Sequence, residues 1–147
     1  MSKKGSTPNQ PANNLANNGV YVLMDEITMG SCADCLKWIM NHNLAETRLP
    51  QLTIIINSPG GDVHAAFALI DTMKASTIPI KTVGLGLIAS CGFLIFIAGK
   101  KGSRILTPNT SILSHQYSWG SAGKEHELYA RVKEFELSTN RMIEHYK

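Results

Sequence analysis

The chain alternates between short apolar runs and segments with apolar residues at helical spacing. Strands are predicted at residues 20–28, 51–57 and 80–86, with two shorter strand-like pieces in residues 103–119, around the turn sequence TPN. Helices are predicted at residues 31–43, where Ser31 is the expected cap, and at residues 63–76, 90–99 and 123–147. Because strands that alternate with helices pair in parallel through right-handed crossovers, the pattern predicts an α/β domain with a largely parallel sheet.

Three of these segments also carry a prediction about burial. Residues 51–57, QLTIIIN, are almost continuously apolar, as in a strand buried on both faces. The helix at residues 90–99 is apolar on nearly every side and is expected to be deeply buried. The last helix has an apolar stripe at spacings of three and four, formed by Leu128, Val132, Phe135, Thr139, Met142 and Tyr146. Such a stripe packs either on the core or on a partner.

Length and composition narrow the class of protein. A chain of 147 residues with 44% hydrophobic content is long enough for one domain with a buried core. The net charge of +3 comes from 14 basic and 11 acidic residues, which is too small an excess for a nucleic-acid interface. Aromatic and basic residues do not interleave as in a single-strand stacking surface. The composition therefore argues against nucleic-acid binding.

The N-terminal segment and the hydropathy indicate a cytoplasmic protein. Residues 1–19 are rich in Asn, Pro, Gly and Ser and have no apolar stretch behind their two lysines, so we expect a disordered arm and no secretion signal. No apolar run reaches the roughly 18 residues of a membrane span. Three cysteines, an odd number, fit a reducing compartment. The remainder of the chain, residues 20–147, is expected to form the domain.

Cys32 and Cys35 form a C-x-x-C pair, which occurs in zinc sites and in redox motifs. No second pair follows, nor a histidine pair at zinc-finger spacing. The pair is therefore interpreted as two thiols on an ordinary helix, and no metal site is predicted.

The segment INSPGGDV places a flexible turn directly after a buried strand. Pro59 restricts one backbone angle, whereas Gly60 and Gly61 free the next two, so the chain can turn sharply and expose main-chain N–H groups. Two such donors can hold the oxyanion of an acyl-transfer reaction. Taken alone, however, a Gly-Gly sequence between a strand and a helix is usually only a turn.

The segment GLIASCGFLIFIAG places Ser90 and Cys91 side by side at a predicted strand-to-helix junction. A lone serine at this position more often caps the helix than acts as a nucleophile. His115, at the end of an apolar run, is likewise more often a structural residue than a base. Together, however, the glycine turn, Ser90 and His115 are the parts of a serine hydrolase: oxyanion donors, nucleophile and general base.

These blocks resemble a known family. INSPGGDVHAAFALIDTMK, GLGLIASCGFLIFIAGKKGSRILTPN and SILSHQ are similar to the corresponding blocks of ClpP, the proteolytic subunit of the ATP-dependent caseinolytic protease. The resemblance runs in order over about residues 20–147, is closest over residues 54–116, and preserves the spacing between Gly61, Ser90 and His115.

The resemblance implies a crotonase-like α/β fold and a serine endopeptidase that hydrolyses unfolded polypeptides. Carried over to this sequence, it makes Ser90 the nucleophile, His115 the base, and the backbone N–H groups of Gly61 and Cys91 the oxyanion hole. It implies neither a metal nor an organic cofactor. It also implies a homo-oligomer of heptameric rings, stacked through a projecting handle helix at about residues 124–147, and an AAA+ unfoldase of the Clp type as partner.

The chain also departs from the family pattern. Cys91 replaces the usual methionine, and Tyr117 replaces the proline that commonly follows the HQ pair. The family's triad aspartate lies beyond the handle helix, and no residue here matches it, so the triad acid is unknown. Asp62, Asp71 and Glu125 are acids near the motifs in sequence, but nothing in the sequence assigns this role to any of them.

Several explanations for the unmatched acid stay open. The chain is a fragment, another chain supplies the acid, or this is a short form with weak activity. The alternative function is therefore a catalytically weak or inactive ClpP-like ring subunit. A crotonase-type enzyme acting on a CoA thioester would use the same N–H donors, but the sequence shows no feature of a CoA pocket.

Overall fold

A computed structural model describes residues 14–114 and 123–147. The strands are β1 (Val20–Met24), β2 (Leu52–Ser58), β3 (Ile80–Ala89), β4 (Arg104–Leu106) and β5 (Ser111–Leu113). The α-helices are α1 (Met29–Leu44), α2 (Val63–Ala75), α3 (Cys91–Ile97) and α4 (Glu125–Tyr146). Strands and helices alternate through the first three strands, and every strand pairing is parallel. The predicted α/β fold with a largely parallel sheet is therefore confirmed.

The sheet has the order β1-β2-β3-β4, with β5 also paired to β3. The first half of β3 pairs with β4 and its second half with β5. Between the two halves β3 is irregular, because Ile56 pairs with Gly84 whereas Ser58 pairs with Ile88. Gly86 supplies the positive φ of 63° that this irregularity requires. The strand therefore continues past the glycines at which the prediction ended it, and reaches the residue directly before Ser90.

Helix α1 begins earlier than predicted. Thr28 is its cap, and the Thr28 hydroxyl accepts a hydrogen bond from the Ser31 amide at 3.1 Å. The Ser31 hydroxyl accepts in turn from the Thr28 amide at 3.0 Å, which completes a capping box. The prediction that Ser31 caps the helix is therefore wrong, because Ser31 is the third helical residue. Thr28 and Ser31 both carry a hydroxyl near the start of this helix.

The helices α1, α2 and α3 pack on one face of the sheet and form the core with it. Inward-facing side chains of β2, Leu52, Ile54 and Ile56, are fully buried, and the alternate positions are half-buried. The prediction of burial on both faces of this strand thus holds fully for one face only. Helix α3 is deeply buried, as predicted, with Leu94 and Ile95 inaccessible to solvent.

The opposite face of the sheet carries an apolar row across four strands. Its members are paired in register and are Val22, Ile55, Val83 and Ile105. The end members Val22 and Ile105 are 46% and 43% exposed, and the central two are half-buried. Among the described residues, the core helices pack on the other face and leave this row uncovered.

Helix α4 is buried only towards its C-terminal end. Ser138 and Met142 are buried, whereas no residue between Glu125 and Leu137 is. Of the predicted stripe, Met142 contacts the core and Val132 is exposed. Within the described residues, no helix has both the length and the apolarity needed to cross a bilayer.

The predicted arm over residues 1–19 lies mostly outside the described residues. Its final part, from Asn14 onward, has a defined conformation that includes the short 3-10 helix Ala16–Asn18. The carbonyl oxygen of Ala16 accepts hydrogen bonds from the Trp38 indole at 3.0 Å and shares one with the His42 ring at 2.8 Å. These contacts attach the end of the arm to α1.

Candidate active site

Ser90 lies between β3 and α3 in a strained backbone conformation. Its φ is 51° and its ψ is −121°, and it is the non-glycine residue with positive φ within residues 14–114 and 123–147. Such a conformation costs about 1–3 kcal/mol and is concentrated at functional sites. Ser90 stands at the cap position of α3, but its side chain makes no capping hydrogen bond. The structure therefore does not support the helix-cap interpretation of its hydroxyl.

The glycine turn packs directly against Ser90. Gly60 and Gly61 have φ values of 99° and 148°, which only glycine adopts without strain. A Cβ placed on Gly60 would lie 2.7 Å from the Cβ of Ser90 and 3.0 Å from the carbonyl oxygen of Ala89. The fold thus unites two motifs that are far apart in sequence, and it needs glycine at the point of contact.

Pairing with Ile27 orients the peptide groups of this turn. The Ile27 amide donates to the Gly60 carbonyl at 2.8 Å, and the Asp62 amide donates to the Ile27 carbonyl at 2.7 Å. Successive peptide groups of an extended chain point to opposite sides, so the N–H and C=O of Gly61 face away from Ile27. The Gly61 carbonyl accepts a hydrogen bond from the Cys91 thiol at 3.5 Å, which ties the turn to the start of α3.

The amides of Gly61 and Cys91 at this junction have no hydrogen-bond acceptor among the described residues. Cys91 is the first residue of α3, and first-turn N–H groups of a helix have no partner within it. Unpaired backbone N–H groups beside a serine hydroxyl are the donors that an oxyanion hole requires.

Burial makes the neighbouring thiol a poor nucleophile. The Cys91 side chain is buried, and this burial raises the pKa of the thiol, although hydrogen bonds with the Ser90 hydroxyl and the Gly61 backbone oppose the shift. At neutral pH the group is therefore a neutral thiol rather than a thiolate. Ser90, which is only half-buried, is the better candidate of the adjacent pair.

The described chain returns to Ser90 at the end of β5. The Ser90 amide donates a hydrogen bond to the Leu113 carbonyl at 2.8 Å, continuing the pairing of Ala89 with Leu113. Leu113 precedes the predicted base by two residues. His115 itself lies outside the described residues, so its role as the base stays a prediction.

One known protein family matches nearly the whole chain. The statistical model of the Clp protease family matches residues 3–147. This chain belongs to the Clp protease family. Its α/β architecture, with a parallel sheet, flanking helices and a C-terminal helix, agrees with the crotonase-like ClpP fold expected from the sequence.

Individual relatives within the Clp protease family are moderately similar. ATP-dependent Clp protease proteolytic subunit 1 of Corynebacterium jeikeium is 37% identical over 120 residues, which is 82% of this chain and 61% of the relative. Proteolytic subunit 2 of Corynebacterium diphtheriae is 37% identical over 120 residues, 82% of this chain and 58% of the relative. Proteolytic subunit 2 of Nocardia farcinica is 40% identical over 91 residues, 62% of this chain and 45% of the relative. The chain thus spans at most 61% of the length of these curated relatives.

In this Clp protease chain, Ser58 supports the glycine turn and was not singled out from the sequence. Its side chain is fully buried, and its hydroxyl accepts a hydrogen bond from the Gly60 amide at 3.1 Å. Gly92 of α3 packs on it: a Cβ there would lie 3.1 Å from the Ser58 Cβ. The only available signal was its place beside the turn in SPGG, which does not distinguish it from an ordinary turn residue.

The acids near the motifs in sequence have defined places in the structure, but His115, which a triad acid would contact, lies outside the described residues. Asp62 caps α2 by accepting a hydrogen bond from the Ala65 amide at 2.8 Å. Asp71 lines a cavity with Phe67, Arg141 and His145, and Glu125 opens α4. The triad acid therefore stays unassigned.

The C-x-x-C pair lies in the core. Cys32 and Cys35 are free and buried in α1, and burial raises the pKa of the Cys32 thiol to about 11. Burial also raises the pKa of the Cys35 thiol strongly. Their environment agrees with two core thiols on an ordinary helix. Across residues 14–114 and 123–147, no three His, Cys, Asp or Glu side chains converge on a possible metal site.

Proposed function

We propose that this chain is a ClpP-like serine endopeptidase that cleaves unfolded polypeptides through an acyl-enzyme at Ser90. One observation carries the proposal: Ser90 stands in a strained strand-to-helix junction, packed against Gly60, beside the amides of Gly61 and Cys91, which have no acceptor among the described residues. The membership of the Clp protease family and the names of the curated relatives support the same activity.

The proposed reaction has two steps. The Ser90 hydroxyl attacks the scissile carbonyl carbon while His115 takes the hydroxyl proton, and the amides of Gly61 and Cys91 donate to the resulting oxyanion. The C–N bond then breaks as His115 returns the proton to the leaving amine, which leaves an ester on Ser90. Water, deprotonated by His115, hydrolyses this ester and regenerates the hydroxyl.

The proposal includes assembly into a homo-oligomer of heptameric rings that stack through α4 and receive unfolded substrate from a Clp-type AAA+ unfoldase in the cytoplasm. Two surfaces support it. The apolar row is uncovered in the described chain, and the first half of α4 has no buried residue, so both can be covered by partners.

Labelling with a fluorophosphonate probe tests the activity. We expect the probe to label the wild-type protein on Ser90, not to label Ser90→Ala, and to label Cys91→Ala at nearly the wild-type rate, because only the Cys91 backbone is used. A full-length active relative serves as positive control. Absence of labelling on the wild type, or its loss in Cys91→Ala alone, would contradict the proposed function.

A further inference from the structure

The last turn of α4 contacts both chain segments that meet at Ser90. The phenolic oxygen of Tyr146 lies 2.9 Å from the hydroxyl oxygen of Ser114, so the two groups share a hydrogen bond. The Tyr146 ring also packs on the ring of Phe93, with centroids 5.8 Å apart. Ser114 is the residue directly before His115, and Phe93 lies in the first turn of α3. One side chain therefore bridges the end of β5 and the start of α3.

The strand β5 needs such support because its own attachment is weak. It has three residues, all of them exposed. Within the described residues it pairs only with β3, and its last carbonyl, that of Leu113, holds the Ser90 amide. A short strand with no buried side chain frays easily, since few apolar contacts oppose its opening.

The end of α4 is itself anchored to the body of the domain. Met142 is buried in the core, and the His145 ring packs on the ring of Phe67 with centroids 5.7 Å apart. The Lys74 amino group lies 3.2 Å from the His145 ring nitrogen Nδ1. Tyr146 therefore projects from a fixed helical turn, and a hydrogen bond from it can restrain a neighbouring segment.

We infer that Tyr146 is a positioning residue of the active site, which holds the end of β5 against Ser90 through Ser114. The inference rests on the proposed function for its effect on catalysis. The contact itself is independent of that function. It makes the proposed site dependent on α4, a helix far from it in sequence.

The test of the catalytic effect is Tyr146→Phe, which removes the hydroxyl and keeps the ring on Phe93. Loss of one hydrogen bond of ordinary strength corresponds to roughly a 3- to 10-fold decrease in kcat for a fluorogenic peptide, with KM unchanged. Ser114→Ala should give a similar decrease, and the double variant should be no worse than either single one. The matched control is Tyr21→Phe, which removes the same atom from a residue of β1 that packs on Trp38, away from α4, and should keep wild-type kcat.

Hydrogen exchange separates failure of the inference from failure of the proposed function, because it needs no activity. Tyr146→Phe should accelerate exchange of the Ser90 amide several-fold, whereas Tyr21→Phe should not. Unchanged exchange, unchanged kcat in an active protein, or additive losses in the double variant would each overturn the positioning role. If the wild type is not labelled by fluorophosphonate but exchange responds as expected, the contact stands and the proposed function fails.

Discussion

Gly60 lies so close to Ser90 that there is no room for a side chain between them: a Cβ on Gly60 would meet the Cβ of Ser90 at 2.7 Å. The contact joins the turn after β2 to the junction after β3. It explains why the two motifs act as one site, because neither the turn nor the serine can shift without displacing the other.

Gly60→Ala should therefore damage both stability and activity. The substitution combines a forbidden φ of 99° with a steric clash, so we expect the free energy of unfolding to fall by about 2 kcal/mol or more and fluorophosphonate labelling to be lost. Gly102→Ala is the matched control, since its φ is 84° and nothing lies within 4 Å of the added Cβ. It should cost about 1 kcal/mol and leave labelling intact. Equal decreases in the free energy of unfolding of the two variants, measured by urea denaturation, would contradict this account.

Ser90→Gly should separate stability from activity. Ser90→Ala removes the hydroxyl but keeps a Cβ at a φ of 51°, whereas Ser90→Gly also relieves the strain. Both variants should fail to label, yet we expect Ser90→Gly to be the more stable of the two by about 1 kcal/mol in urea unfolding. A less stable glycine variant would mean that the junction is not strained.

Ser58→Ala should weaken the oxyanion-hole turn without touching the reacting groups. The buried Gly60 amide would lose its acceptor, which costs about 1–3 kcal/mol of stability. We also expect a lower kcat, because the adjacent Gly61 amide is then less well oriented. Ser103→Ala, at a half-buried site away from the turn, should change neither quantity. Wild-type kcat and urea midpoint in Ser58→Ala would refute the supporting role.

We expect protonation of His145 to lower the free energy of unfolding in acid. Burial, followed by the nearby Lys74, lowers the pKa of His145 below its ordinary value of 6.5, although Asp71 opposes the shift. As the pH falls through 6.5, His145 takes up a proton in the unfolded chain before it does so in the folded chain. The contribution of neutral His145 to the free energy of unfolding is therefore complete at higher pH and is lost in acid.

Thermal melts at about pH 7.5 and about pH 5.5 measure this effect. Between the higher and the lower pH, the melting temperature of His145→Gln should fall less than that of the wild type. His126→Gln, an exposed control at the other end of α4, should follow the wild type. If the melting temperature of His145→Gln falls in acid as much as that of the wild type, another group is responsible for the effect.

Much of the architecture could be predicted because it follows from local periodicity. The apolar run ending at Ser58 and the helical spacing after Val63 each repeat over enough residues to identify a strand and a helix. The boundaries were less certain. Thr28 and Ser31 both suit a helix start, and only the capping box distinguishes the cap from the third residue. The extension of β3 past Gly86 depends on pairing with β5, which no local pattern reveals.

The sequence by itself determined the alternation of strands and helices, the glycine turn and the serine at a strand-to-helix junction, because each of these features depends on residues that are neighbours in the sequence. The tertiary structure alone decided how these pieces act together. Ile27 orients the peptide of Gly61, and the Leu113 carbonyl accepts a hydrogen bond from the Ser90 amide. The hydroxyl of Ser90 makes no capping hydrogen bond to α3. These relationships join residues distant along the chain, and they arise from strand register and close packing, which no short-range pattern encodes.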